Sequence, residues 1–210
     1  MKGAHLVAFD LDDTLVAEAL FIRSGNRHIA RWLHERIPEL NQHRITSVMD
    51  EAMMRRFNHY SALEWLLRQE DMSHLVDMKE VVAEFRRHCP DPDIYHLPPS
   101  RRALLSRIRD AGHHTALITD GRSLTQRNKV MAAGLHEFFQ DEDILISEET
   151  GHDKLAPDNF LAVMRRYPDA TAFHYVADNP AKDFVQPSLL GWHSHLVRAF
   201  PLAVHQGMPR

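Results

Sequence analysis

Cysteine is almost missing: Cys89 stands alone in 210 residues. No internal disulfide can form, which fits a reducing cytoplasm. An excess of one charge is missing as well. The 25 Lys and Arg are interspersed with 29 Asp and Glu for a net charge of −4, so no field draws the chain to nucleic acid. No apolar run approaches the length of a membrane span, and Asp10 arrives before any signal-like stretch develops. Internal repeats and low-complexity tracts are absent too. These absences lead to the expectation of a cytoplasmic, soluble protein with neither membrane nor nucleic-acid partners. Its length suffices for one good core plus a smaller unit.

Histidine, by contrast, is plentiful, at 16, but scattered. His193 and His195 would share one face of a strand. Zinc needs three or four converging ligands, so these read as surface histidines.

Short apolar runs recur at 4–9 (AHLVAF), 114–118 (HTALI), 143–147 (DILIS) and 173–177 (FHYVA), and 192–197 (WHSHLV) offers a fifth. Their brevity and nearly continuous apolar character predict strands of a parallel sheet covered on both faces. Helical patterns at 99–111, 123–133 and 157–167 lie between them. Strands alternating with helices predict an α/β fold with a doubly wound, Rossmann-like parallel sheet.

The spacing also exposes an insertion. Thr14 and Thr119 are 105 positions apart, whereas one strand-helix-strand unit needs about 30. Something of roughly 70 residues is therefore threaded between the first two strands. Its patterns are helical, with Ile29, Leu33 and Ile37 at i, i+4, i+8. It closes on "YHLPPS", whose Pro98-Pro99 pair suggests a stiff re-entry hinge. The expected organisation is a core of 1–15 and 97–210 with a helical cap of 16–96. Trp32, Trp65 and Phe85 fall on apolar stripes and are expected in the cap core.

Ligands of open α/β sheets bind beyond the carboxyl ends of the strands, and there this chain collects acids. The first strand ends in "FDLDDT", the second in "ITDG", the fourth in "VADN". Carboxylates clustered at the edge of a core cost free energy unless a cation, a proton or a reaction accounts for them. Asp10 with Asp178 suits a hard divalent cation such as Mg²⁺, which takes oxygen ligands and a substrate phosphate. Thr119 and Lys154, with free backbone amides around Asp120-Gly121 at a helix start, suit the other side of a phosphoryl group. An ionised aspartate is a competent phosphoryl acceptor. Asp13 reads as a turn or capping residue. Arg23, Arg27, His28 and Arg31 read first as a solvated helix face and second as contacts for an anionic substrate.

In order and spacing, DLDDT (10–14), LITDG (117–121), GHDKLAPDNF (151–160) and VADNPAKDF (176–184) resemble the four motifs of the haloacid dehalogenase superfamily, in its branch with a cap inserted after the first motif. The resemblance implies a phosphatase of a small phosphomonoester, a sugar phosphate or nucleoside monophosphate, with Mg²⁺ as cofactor. It implies that Asp10 attacks phosphorus to form an aspartyl-phosphate and that Asp12 exchanges protons with the leaving group and with water. Thr119, Asp120 and Lys154 would bind the phosphoryl group. Asp10, the backbone carbonyl of Asp12 and Asp178 would bind the metal, with Asp183 and Asn179 supporting them. Ala177 and Leu155 depart from the family pattern without removing a functional group. Asp12 is the acid that family phosphatases carry and dehalogenases lack. A phosphomutase of the same superfamily and a non-catalytic receiver-like module are the alternatives. Oligomeric state and the role of the tail 198–210 are not legible.

Overall fold

The computed structural model describes residues 3–198 and 200. The five apolar runs become strands: β1 (Leu6–Phe9), β2 (His114–Thr119), β3 (Ile144–Ile146), β4 (Phe173–Ala177) and β5 (His193–Leu196). All pair in parallel, in the order β3-β2-β1-β4-β5. Chain order reverses at β1, so the ends of β1, β2 and β4 border the crevice where such sheets bind ligands.

The helices in chain order are α1 (Glu18–Arg36), α2 (Gln42–Met54), α3 (His59–Gln69), α4 (Met78–Arg87), α5 (Pro99–Asp110), α6 (Ser123–Ala132), α7 (Ser147–Thr150), α8 (Asp158–Arg166), α9 (Pro180–Asp183) and α10 (Val185–Leu189). The chain divides into two compact units: one holds residues up to Glu18 and from His96 onward, the other is Ala19–Tyr95.

In the first unit the period of two sorts β1 to β4 between two apolar layers, whereas β5, expected to be covered on both faces, lies at the sheet edge and is exposed along its whole length. Leu6, Ala8, Ala116, Ile118, Tyr175 and Ala177 pack with Phe160 and Val163 of α8 and with Trp192 on one side. Phe9, Leu117, Ile144 and Ile146 are buried on the other, where Phe9 meets Phe139 edge-on at 6.2 Å. Burial on both faces accounts for the unbroken apolar runs. The prolines of "YHLPPS" start α5, Pro99 being its first residue, where a missing N–H costs nothing.

The histidines assemble more than their scatter suggests. His5 Nδ1 lies 3.1 Å from His174 Nε2, and His174 Nδ1 lies 3.0 Å from His195 Nε2. His113 stacks on His5, and His193 on His174. Burial, reinforced by His195, His193, His5 and His113, lowers the His174 pKa to about 4. Unfolded His174 takes a proton below about pH 6.5, whereas the folded ring resists until about 4. Stability is therefore lost as pH falls from 6.5 to 4. Because the ring is partly exposed, the loss is about 1–2 kcal/mol. His174→Gln should flatten this limb: urea midpoints measured at neutral pH and near pH 4.5 should converge relative to wild type. Parallel pH profiles for the two proteins would show that the array is electrostatically inert.

The second unit is helical, and its helix starts follow side-chain capping. Asn41, Asn58 and Asp77 accept backbone N–H groups at the starts of α2, α3 and α4. Gly25 is required where the Phe85 ring crosses α1, since a Cβ there would lie 2.2 Å from the ring. Asn26, fully buried, donates to Asp50 and accepts from His59 Nδ1 at 2.7 Å. The expected cap core is corrected at Trp65. Phe85 is buried, but Trp65 is 56% exposed, because Leu63, Leu66 and Leu67 form the inner face of α3 and residue 65 falls about 200° from Leu63 around the helix. Trp32 is half-buried beneath the Arg36 guanidinium, 4.1 Å from its ring. Arg23 and His28 are engaged inside this unit, by Asp50 and Glu84 respectively.

Candidate active site

Directly after β1 the chain makes one last sheet hydrogen bond, Asp10 N to Val176 O at 3.0 Å, and turns sharply. Asp13 adopts a left-handed φ of 54°. Its buried carboxylate accepts the Glu18 N–H at 3.1 Å, the behaviour of a turn residue. The turn leaves Asp10 and Asp12 aimed at one pocket of about 150 Å³, also lined by Glu18, Thr119, Asp120, Lys154, Asn179, Lys182 and Asp183. Every one of the sequence-derived candidates except Asp178 thus borders that pocket. Asp178 stands beside it, its Oδ1 accepting from Thr14 Oγ1 at 3.3 Å.

Lys154 is the electrostatic centre. Its side chain is 4% exposed and its Nζ lies 2.5 Å from Asp10 Oδ1 and 3.1 Å from Asp183 Oδ1. Burial alone would pull its proton off, but Asp10 and then Tyr175 and Asp183 outweigh that and hold its pKa well above the ordinary lysine range. Asp10 answers to the same forces. Burial pushes its carboxyl up to about 7, with Lys154 pulling down and Asp183 and Asp12 pushing up. Asp10, Asp178 and Asp183 offer ligand oxygens all within 4.8 Å of one another, and this is the one such group of three or more acids, histidines or cysteines among the described residues. An all-oxygen, all-carboxylate donor set suits a hard cation.

The second strand supplies the opposite wall. Thr119, 1% exposed, ends β2. Asp120 is spent on architecture: its Oδ1 accepts the Lys154 N–H at 3.1 Å and its Oδ2 faces Lys182 Nζ at 2.5 Å. One expectation is corrected here. The Gly121 amide is not free for a phosphoryl group, because it donates to Ser147 Oγ at 2.9 Å; the first residue of α7 approaches closely and uses it. Asn179 N reaches Asp183 Oδ2 at 3.3 Å, which holds that carboxylate beside Lys154.

Four residues at the site were not among the sequence-derived candidates: Lys182, which faces Asp120, and the three that follow. Gln126 and Lys129 come from α6, both buried. Gln126 Nε2 lies 2.8 Å from Thr119 Oγ1, 2.9 Å from Asp120 O and 3.2 Å from Asp12 Oδ2. Lys129 Nζ lies 2.8 and 2.7 Å from the two oxygens of Asp12. The available signal was their i, i+3 spacing, which places both on one face of the helix following the second motif. Glu18, the first residue of α1, is the third. Burial pushes its pKa to about 7, helped by Asp12 and Asp13 and opposed by Lys129.

This arrangement of strand ends and motifs has known counterparts. The sequence pattern of the haloacid dehalogenase-like hydrolases matches residues 4–183. The chain belongs to the haloacid dehalogenase-like hydrolases. Among curated relatives, the glyceraldehyde 3-phosphate phosphatase of Methanopyrus kandleri is 29% identical over 195 residues, covering 84% of this chain and 76% of that one. The phosphatase of the same name from Pyrococcus furiosus is 25% identical over 177 residues, covering 80% and 69%. The family match and the phosphatase relatives make this chain a phosphoric monoester hydrolase. In fold it is similar to the magnesium-bound hydrolase YfnB of Bacillus subtilis, with a TM-score of 0.61 at 21% identity over 100% of this chain and 90% of that one. It is also similar to 2-haloacid dehalogenase from Pseudomonas syringae, with a TM-score of 0.56 at 23% identity over 98% and 92%. Among the described residues of this haloacid dehalogenase-like hydrolase, no helix is long and apolar enough to cross a membrane.

Proposed function

We propose that this hydrolase is a Mg²⁺-dependent phosphatase of small phosphomonoesters that works through an aspartyl-phosphate on Asp10. The observation that carries the reading is the division of labour in the pocket. Lys154 and the carboxylate cluster gather around Asp10, while Asp12, two residues on, is held separately by α6. One acid is thereby equipped to attack and the other to move protons.

In this reading Asp10 attacks phosphorus as the bond to the leaving oxygen breaks, and Asp12 donates a proton to that oxygen. Asp12 then takes a proton from water, which attacks the aspartyl-phosphate to release inorganic phosphate and restore Asp10. Lys154 and Thr119 bind the equatorial oxygens, where phosphoryl transfer concentrates charge. Asp10, Asp178 and the Asp12 carbonyl would hold Mg²⁺, with the Asp183 carboxylate within reach. The cation, when bound, adds charge neutralisation for the phosphoryl oxygens. The shared name of the curated relatives favours a small sugar phosphate over a nucleoside monophosphate as substrate.

Phosphate release from p-nitrophenyl phosphate and from a panel of sugar phosphates tests the reading. The expected result is turnover with Mg²⁺ that EDTA abolishes. Turnover indifferent to EDTA would remove the metal from the scheme, and no release from any phosphomonoester would remove the phosphatase. Mg²⁺ should also raise the unfolding midpoint, by about 2.7 kcal/mol of added stability at a hundredfold excess over its Kd. In Asp178→Asn that rise should shrink sharply. An equal rise in the variant would place the ion elsewhere.

A further inference from the structure

Lys129 is an expensive residue where it stands. Its side chain is 4% exposed, on a helix face where an aliphatic residue would pack without desolvating an ammonium. Both oxygens of Asp12 lie within hydrogen-bond distance of its Nζ, at 2.8 and 2.7 Å. Gln126 cannot do this work alone. Its amide nitrogen has two protons for three acceptors, Thr119 Oγ1, Asp120 O and Asp12 Oδ2, and the Asp12 contact is the longest of the three at 3.2 Å. The Asp12 carboxylate, 23% exposed, is therefore anchored chiefly by one cation, on the α6 side of the pocket. It stays outside the carboxylate cluster of Asp10, Asp178 and Asp183.

We propose that Lys129 is the positioning residue for proton transfer: it clamps the Asp12 carboxylate on the α6 side of the pocket, away from the cluster that surrounds Asp10. This rests on the phosphatase reading above, in which Asp12 serves the leaving oxygen and then the water. A short carboxylate released from that clamp has cations competing for it, Lys154 above all. An acid misplaced by an ångström loses much of its effect. Gln126 is the cross-brace that keeps Asp12 in register with Thr119, so the proton-transfer group and a phosphoryl-binding group share one support.

The test is the leaving-group dependence of kcat/KM, which reports the first phosphoryl transfer. p-Nitrophenolate departs with little help from an acid, whereas phenolate needs a proton in the transition state. For Lys129→Met, kcat/KM should fall less than about tenfold on p-nitrophenyl phosphate and roughly a hundredfold or more on phenyl phosphate. Lys129→Arg should recover most of the phenyl phosphate rate, and Asp12→Asn/Lys129→Met should be no slower than Asp12→Asn. A merely structural role predicts the same loss on both esters and a further multiplicative loss in the double variant, and either result overturns the proposal. Should Lys129→Met not fold, the double variant, in which both charges of the pair are gone, decides by the same comparison with Asp12→Asn. A wild-type protein that hydrolyses neither ester nor any sugar phosphate would overturn the phosphatase reading, and this one with it. An active wild type with a flat response in the variants overturns the role of Lys129 alone.

Discussion

Asp10→Asn is expected to lower kcat by roughly 10⁴-fold or more and to leave the unfolding midpoint at neutral pH unchanged or raised. The first half follows from removing the proposed nucleophile. The second follows from the cost of the native carboxylate. Burial lifts the Asp10 pKa to about 7, while in the unfolded chain the group ionises near 4. Between those values the unfolded state releases a proton that the folded state retains, so stability falls as pH rises through that window. An uncharged isostere escapes that loss, and Lys154 still has Asp183 as a partner, 3.1 Å away. The checks are single-turnover phosphate release and thermal unfolding on the same preparation, with deamidation excluded by mass. Wild-type turnover would dispose of the mechanism, and a collapsed midpoint would make Asp10 structural.

The second large effect is expected at Lys154, with the opposite balance. Lys154→Met should lower kcat/KM by at least about 10³-fold, since it removes the cation proposed to face the transferring group. It should also cost about 3–5 kcal/mol at neutral pH, the penalty for stranding buried charges, or very roughly 10 °C in Tm for a chain of this size. Asp10 and Asp183, 7% and 2% exposed, would then face each other without the ammonium between them. Two signatures separate this from ordinary packing loss. The deficit should shrink as pH falls and the carboxylates take up protons, and Mg²⁺ should restore more midpoint to the variant than it adds to wild type. A pH-independent, Mg²⁺-independent deficit would show that the Lys154 stem matters and its charge does not.

These two positions also show how far the chain could be read unaided. Asp10 was legible because three acids after a buried strand have no packing explanation. Lys154 was legible only through its register with the other motifs, since an isolated lysine reads as solvated surface. Nothing in its own neighbourhood announces that it is buried between two carboxylates. Gln126 and Lys129 were missed for the same reason, with less to offset it. α6 is short and polar, and its buried face carries an amide and an ammonium where a core-facing stripe would be apolar. Trp65 is the converse case: an aromatic in a helical pattern reads as core, but the three leucines of α3 claim the inner face and leave it outside.

What the sequence determined by itself was local and one-dimensional. The lengths of the apolar runs, the alternation of strand and helix, the long gap between the first two strands and the order of four motifs together define a doubly wound sheet with a helical insertion. They also mark the strand ends where the chemistry collects. The tertiary structure alone decided which polar groups are buried and whom they meet. It set Lys129 against Asp12, Asp120 under the Lys154 backbone, Ser147 on the Gly121 amide, and five histidines into one array that runs from the starts of β1 and β2 across β4 and β5. The reason is physical. Backbone propensity and apolar periodicity act between neighbours in the chain. The pairing of a buried charge depends on an opposite charge that the fold delivers from far along the chain, 117 positions away for Lys129 and Asp12 and 29 for Lys154 and Asp183.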